Sequence, residues 1–152
     1  MIDFTKKRDQ TTEDEFWICE HLPVFTLGTS LKNSILPIRG IRCINTARGG
    51  KITYHGPGQL VGYPLMDLRK NNLYPKELLD LINRTVLSVM REFGIEGLLV
   101  PEAPGIYVSK PGGANQFFNL AKICSIGLKI SNHSSYHGFA LNVSADLEPF
   151  ST

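Results

Sequence analysis

The chain has 152 residues, 42% of them apolar, with 16 basic side chains against 14 acidic ones. Those totals describe one globular domain spanning residues 1–152 with a core of its own, and they exclude a disordered or fibrous chain. A net charge of +2 provides no concentrated basic face, so nucleic acid is not an expected partner.

The opening residues Met1 to Glu15 are polar and lack the apolar stretch of a signal peptide. Runs such as Leu98-Leu99-Val100 are far too short to span a bilayer, so no membrane association and a cytoplasmic location are expected. Phe16 to His21 and Val24 to Leu27 are aromatic and β-branched runs on either side of Pro23, which suits two strands or one strand bent at an edge. Ile41 to Thr46 alternates apolar and polar residues as a half-buried strand does, and Lys51 to His55 alternates again. Gly56-Pro57-Gly58-Gln59 carries proline and glycine at the central positions of a type II turn. The expectation is that Leu60 to Leu65 returns from it as the antiparallel partner of a hairpin.

A helix is predicted after Pro75, with Leu78, Ile82, Val86 and Met90 four residues apart, Leu79, Val89 and Phe93 on the same flank, and Gly94 as the stop. Leu98 to Val100, Ile106 to Val108, Ala121 to Ile130 and Ser135 to Val143 are further strand candidates, broken at Gly105, Gly112-Gly113 and Asn132-His133. The connection Pro111 to Leu120, with Phe117 and Phe118 adjacent, is longer than a hairpin needs and suits a lid, a partner contact or a loop tucked onto the core. Three cysteines, Cys19, Cys43 and Cys124, form no CxxC spacing, which indicates reduced thiols and neither a disulfide framework nor a metal site.

Arg48 to Gln59 packs four glycines, a proline, two cations and a histidine into twelve residues, more special chemistry than a plain hairpin requires. Gly49 and Gly50 remove Cβ atoms where a ligand would approach backbone amides. His55 is placed to hydrogen-bond a carbonyl or an amine, and Arg48 to meet an anion, although a strand histidine is commonly structural. Lys122 lies in an apolar strand, where desolvation would favour its neutral form and let it exchange a proton with a thiol; snorkelling to water is the other reading. Cys124, two residues on, shares its strand face and reads as a buried inert thiol. His137 suits either core or site.

Arg48 to His55, extended by Gly56, Gly58, Gln59 and Tyr63, resembles the signature of the lipoyl(octanoyl) transferases. Lys122 to Gly127 and Ser135 to Val143 resemble two further segments of that family, in the same order. The resemblance implies an α+β fold, a mixed β-sheet flanked by helices like the catalytic domain of biotin and lipoate protein ligases. It implies transfer of an octanoyl group from octanoyl-acyl carrier protein to a lysine of the lipoyl domains of 2-oxoacid dehydrogenase complexes and of the glycine cleavage H protein, the first step of protein lipoylation, without a cofactor. Lys122 would then lower the pKa of a nucleophilic cysteine. Arg48, Gly49, Gly50, Lys51, Ile52, Thr53, Tyr54, His55, Ser125, Ile126, Gly127, Gly138, Phe139 and Ala140 would touch substrate. The same resemblance places that cysteine in an Asn-Pro-Cys-Gly turn after Phe150-Ser151-Thr152, so the chain is expected to stop before its nucleophile and to have severely reduced activity. The rival readings are an ATP-dependent lipoate or biotin protein ligase and a noncatalytic acyl or carrier-protein binding remnant.

Overall fold

The computed structural model describes residues 1–31, 37–110 and 119–151. After a short helix α1 (Ile2–Lys7), strand β1 (Glu15–Cys19) leads into β2 (Val24–Leu27), β3 (Cys43–Asn45), β4 (Ile52–His55) and β5 (Gln59–Leu65). Helix α2 (Pro75–Glu92) follows, then β6 (Leu98–Val100), β7 (Ala103–Ser109), β8 (Leu120–Ser131), β9 (Ser134–Asn142) and a 3-10 turn (Glu148–Ser151). The strands form a six-stranded sheet in the order β1-β5-β9-β8-β7-β6 and a three-stranded sheet in the order β3-β2-β4. Every pairing in the larger sheet is antiparallel. In the smaller one, β2 runs parallel to β3 and antiparallel to β4, so the mixed character lies there.

Helix α2 forms where its spacing predicts. Pro75 occupies the first turn, and the Tyr74 amide donates to Glu77 Oε2 at 2.6 Å. Gly94 ends the helix with φ +72°, its amide reaching Arg91 O and the Ile95 amide reaching Met90 O. Leu78, Ile82, Val86 and Met90 are its buried residues. They pack against Ile106, Cys124 and Leu141, which pair in one row across β7, β8 and β9. At roughly 2 kcal/mol for each large apolar side chain withdrawn from water, this layer is a main source of cohesion. Val89 and Phe93, expected on that flank, are exposed instead, because they fall outside the stripe that meets the sheet.

Two turns decide how the chain divides between the sheets. Asn132 and His133 both have left-handed backbone, φ +46° and +60°, and Ser131 pairs with Ser134. Such a two-residue turn matches strand twist, and β8 and β9 form a hairpin. Gly56-Pro57-Gly58-Gln59 is the expected type II turn, with φ +80° at Gly58 and the Gln59 amide on Gly56 O at 3.2 Å. The hairpin expected from it does not form: β4 pairs with β2 in the small sheet, whereas β5 pairs with β1 and β9 in the large one. A type II turn splays the strands it joins, and here it serves as a corner between sheets. The chain also changes sheets at Pro23, between β1 and β2.

Helix α1 and the 3-10 turn were not expected from the sequence. The connection Pro111 to Leu120, considered above as a lid, lies almost entirely outside the described residues.

Candidate functional site

The glycine-rich loop lies across the large sheet. The Gly49 amide donates to Leu128 O at 3.3 Å, and a Cβ on Gly127 would come within 3.2 Å of Arg48 Cδ and of Gly49 O. Gly127 pairs with Gly138, where a Cβ would lie 1.9 Å from Gly62 O. Close backbone approach therefore requires glycine at Gly138. Gly50 has φ +86°, which also favours glycine, whereas a Cβ at Gly49 would meet Leu128 O only at 3.4 Å.

This docking encloses a cleft of about 730 Å³ between the small sheet with its glycine-rich loop and strands β5, β8 and β9. Arg48, Gly49, Gly50, Lys51, Ile52, Thr53, His55, Lys122, Ser125, Ile126, Gly127, Gly138, Phe139 and Ala140 all line it. Three segments separated in sequence thus meet around one space. Tyr54 does not line it: alternation on β4 turns its ring into the core, against Phe25 and Phe150. The sequence reading passed over His21 and Thr26, which also line the cleft, and left His137 undecided, which lines it too. The only cue to His21 was a polar ring between two apolar strands.

Arg48 is buried and committed to the protein. Its Nε and Nη2 donate to Thr26 Oγ1 at 3.0 and 2.9 Å, Nη2 also to Thr26 O at 2.5 Å, and Nη1 to Gly49 O at 2.9 Å. The guanidinium braces the loop onto β2, rather than standing free to meet an anionic partner as expected.

The neighbouring network fixes the tautomer of His55. Gln59 Nε2 donates to Tyr54 O and to Asn142 Oδ1, so Gln59 Oε1 is an acceptor and His55 Nδ1 carries the proton of their 2.6 Å bond. His55 Nε2 is then an acceptor, served by the Thr26 hydroxyl at 3.3 Å. Burial holds this imidazole down at about 4, with His21 and Arg48 adding to the effect and the Gln59 bond opposing it. His55 is therefore neutral at pH 7.

His21 stands 5.7 Å from His55, ring centroid to ring centroid, with its Nε2 on Tyr63 Oη at 2.7 Å. Burial, then Cys19, pushes the Tyr63 phenol up to about 12, so it keeps its proton in that bond. His137 is the third imidazole. It is 6% exposed, has left-handed backbone at φ +59° within β9, and its Nε2 has no hydrogen-bond partner.

Lys122 departs from expectation in its burial. The side chain is exposed, with Nζ donating to Pro104 O at 2.8 Å and lying 5.1 Å from the centre of the Tyr107 ring. Gly105, whose absent Cβ would come within 3.3 Å of Lys122 Cε, lets the stem pass. The lysine thus reaches the cleft rim with a carbonyl and an aromatic face around it, and the expected desolvation is absent. Cys124 is fully buried against α2, and burial pushes its thiol up to about 12 despite the opposing influence of the Ala140 backbone and Lys122. That is the inert thiol the sequence indicated. Among the described residues, no group of three or more His, Cys, Asp or Glu side chains could hold a metal ion, and no helix is long and apolar enough to cross a membrane.

The lipoyl protein ligase A/B catalytic domain model matches residues 3–152. An octanoyltransferase of Bordetella parapertussis is 46% identical over 99% of this chain and 67% of its own length. One from Polynucleobacter necessarius is 47% identical, with 99% and 71% covered. Among solved structures, lipoate-protein ligase A bound with ATP superposes with a TM-score of 0.70 at 16% identity, covering 97% of this chain and 61% of that one. The bipartite lipoate protein ligase of Thermoplasma acidophilum gives 0.68 at 15% identity, covering 97% and 56%. The ligases show the shared fold; the curated relatives narrow it further.

The chain belongs to the lipoyl protein ligase A/B catalytic domain family and, within it, to the octanoyltransferases, acyltransferases of protein lipoylation. It spans about two thirds of the length of the curated relatives it matches.

Proposed function

We propose that the cleft grips an octanoyl thioester carried on the pantetheine arm of acyl carrier protein, and that the octanoyl group passes to a lysine of a lipoyl domain, in 2-oxoacid dehydrogenase complexes or the glycine cleavage H protein. The observation that carries this reading is the docking of Gly49 on Leu128, which gathers the glycine-rich loop, His55, Lys122 and the Gly127–Gly138 pair around one space. Apolar walls from Val24, Ile44, Ile52, Val61, Ile126 and Phe139 suit a fatty chain. At ~0.8 kcal/mol per buried methylene, an octanoyl chain gains roughly 5 kcal/mol there, and one methylene more or less changes binding by only about 1 kcal/mol. Sharp length selection therefore needs a closed end to the slot.

In this reading Gly49, Gly50, Ser125, Ile126, Gly127, Gly138, Phe139 and Ala140 shape the slot, with Lys51, Ile52 and Thr53 along its rim. His55, neutral and held by Gln59, orients the loop. Lys122 lies at the rim, where its ammonium would lower the pKa of an approaching thiol. Among the described residues no thiol lines the cleft, so these residues are assigned the gripping and polarising of the thioester and not the nucleophilic step. Cys19 and Cys124 are free thiols, in keeping with a reducing compartment, which we take to be the cytoplasm.

The test is intact-mass analysis of an unmodified lipoyl domain incubated with the protein and octanoyl-acyl carrier protein, without ATP. One added octanoyl group supports the reading. Modification that appears only with free octanoate or lipoate plus ATP assigns a ligase, and tight carrier-protein binding with no transfer assigns a binding module.

A further inference from the structure

Three imidazoles line the cleft among the described residues, and their hydrogen bonds separate them. His55 has both nitrogens engaged, and His21 holds Tyr63 through Nε2. His137 is buried with Nε2 unpartnered, and a buried polar atom without a partner is uncommon enough to require an explanation. The backbone at this residue is itself unusual. A non-glycine residue at φ +59° inside a paired strand is strained, and such strain persists where the surrounding structure enforces it and concentrates at functional sites. Burial biases His137 toward its neutral form, and Arg48, the Met1 amine and His55 act in the same direction. The Arg48 guanidinium and the Met1 amine among these groups also favour negative charge on a bound ligand.

We propose that His137 is a further catalytic residue, whose neutral imidazole donates a hydrogen bond from Nε2 to the carbonyl oxygen of the bound acyl thioester and stabilises the charge that develops there. This rests on the acyl-thioester reading of the cleft. In the aminolysis step the lysine amine of the acceptor attacks the carbonyl carbon, a C–N bond forms and the carbonyl π pair moves onto oxygen. Collapse then breaks the C–S bond, and the surplus amine proton ends on the departing thiolate. His137 keeps its own proton throughout. A neutral imidazole among cations is a weak base and a good hydrogen-bond donor, which suits it to the oxyanion rather than to the amine. Met1, whose Sδ lies 3.2 Å from the His137 amide, covers this point of the cleft, and its flexible thioether yields to the incoming carbonyl.

The experiment measures the infrared carbonyl stretch of octanoyl-pantetheine labelled with ¹³C at the thioester carbon, bound to the native protein and to His137→Asn. Asparagine tolerates left-handed backbone and is too short to place its amide where the imidazole reaches. The native protein should lower the stretch on binding, and His137→Asn should bind the thioester without that shift. In turnover with carrier protein and lipoyl domain, kcat should fall about 10²-fold with KM little changed, and His137→Gln should recover part of it through its amide N–H. An identical shift in native and variant proteins overturns the assignment alone. Loss of thioester binding in a folded His137→Asn reassigns the ring to packing and overturns it too. Absence of saturable thioester binding to the native protein overturns the reading of the cleft together with the assignment.

Discussion

His55 Nδ1 donates to Gln59 Oε1 across the mouth of a turn whose two ends belong to different sheets. The same glutamine, 2% exposed, donates to Tyr54 O on β4 and to Asn142 Oδ1 on β9. One side chain therefore ties the corner strand, the cleft histidine and the large sheet together. Gln59→Leu keeps the volume and strands three polar partners, the Tyr54 carbonyl and His55 buried and Asn142 half-buried. Unfolding in urea should show a loss of about 3 kcal/mol, because each unsatisfied group costs on the order of 1 kcal/mol or more. An unchanged midpoint would show that water takes the place of the amide.

The glycines separate stability from function. At Gly138 a Cβ would overlap Gly62 O, so Gly138→Ala must push β5 from β9 and should cost about 3 kcal/mol or leave the protein unfolded. At Gly49 the added methyl would make an ordinary contact with Leu128 O. Gly49→Ala should therefore fold with its thermal midpoint nearly unchanged and lose affinity for octanoyl-pantetheine, read by calorimetry. Equal thermal losses in the two variants would contradict this division.

Much of this was legible in the sequence, and what was not has a common cause. The four-residue spacing from Leu78 to Met90 encodes α2, because helix periodicity needs only local information. The type of the Gly56 to Gln59 turn was equally local, but the destination of β5 was not: its partners Glu15 to Cys19 and Asn142 are remote in sequence. The segments that wall the cleft were found by motif, while the roles within it depend on distant partners. Arg48 looked like a free cation until Thr26, on another strand, took its guanidinium. Lys122 looked buried because its sequence neighbours are apolar, whereas a strand at the rim of a cleft exposes one side. No pattern marks the left-handed backbone of His137.

Acid sensitivity should be set by the buried imidazoles. His55 and His137 are held at about 4, and burial lowers His21 as well. Unfolding lets each take up a proton below its ordinary value of about 6.5, so the unfolded chain binds more protons than the native one between pH 6.5 and 4. Stability is complete above that window and falls as pH drops through it, by about 1.4 kcal/mol per pH unit for each proton. Asp9, held at about 2 by Thr11 and Thr12, acts only below this range. Urea midpoints measured from pH 7.5 to 4.5 should decline; a flat profile would mean that these rings are reached by water in the native state.

Arg48→Lys tests the brace. Lysine keeps the charge but cannot reproduce donation from three nitrogens to Thr26 and Gly49. A stability loss of about 2 kcal/mol is expected, with faster amide exchange at Gly49 as the loop loosens from Leu128. Retained protection at Gly49 would show that the loop stays docked without the guanidinium.

The most direct test of the central claim is the mass of a lipoyl domain after incubation with octanoyl-acyl carrier protein and either the native protein or Lys122→Ala. Lys122 is exposed, so its replacement should change stability by less than about 0.5 kcal/mol, leaving chemistry as the variable. The account predicts an octanoylated domain with the native protein, formed slowly because no described thiol lines the cleft to relay the acyl group, and severe loss with the variant. Equal octanoylation by both, or none by the native protein while lipoate and ATP support modification, would contradict it.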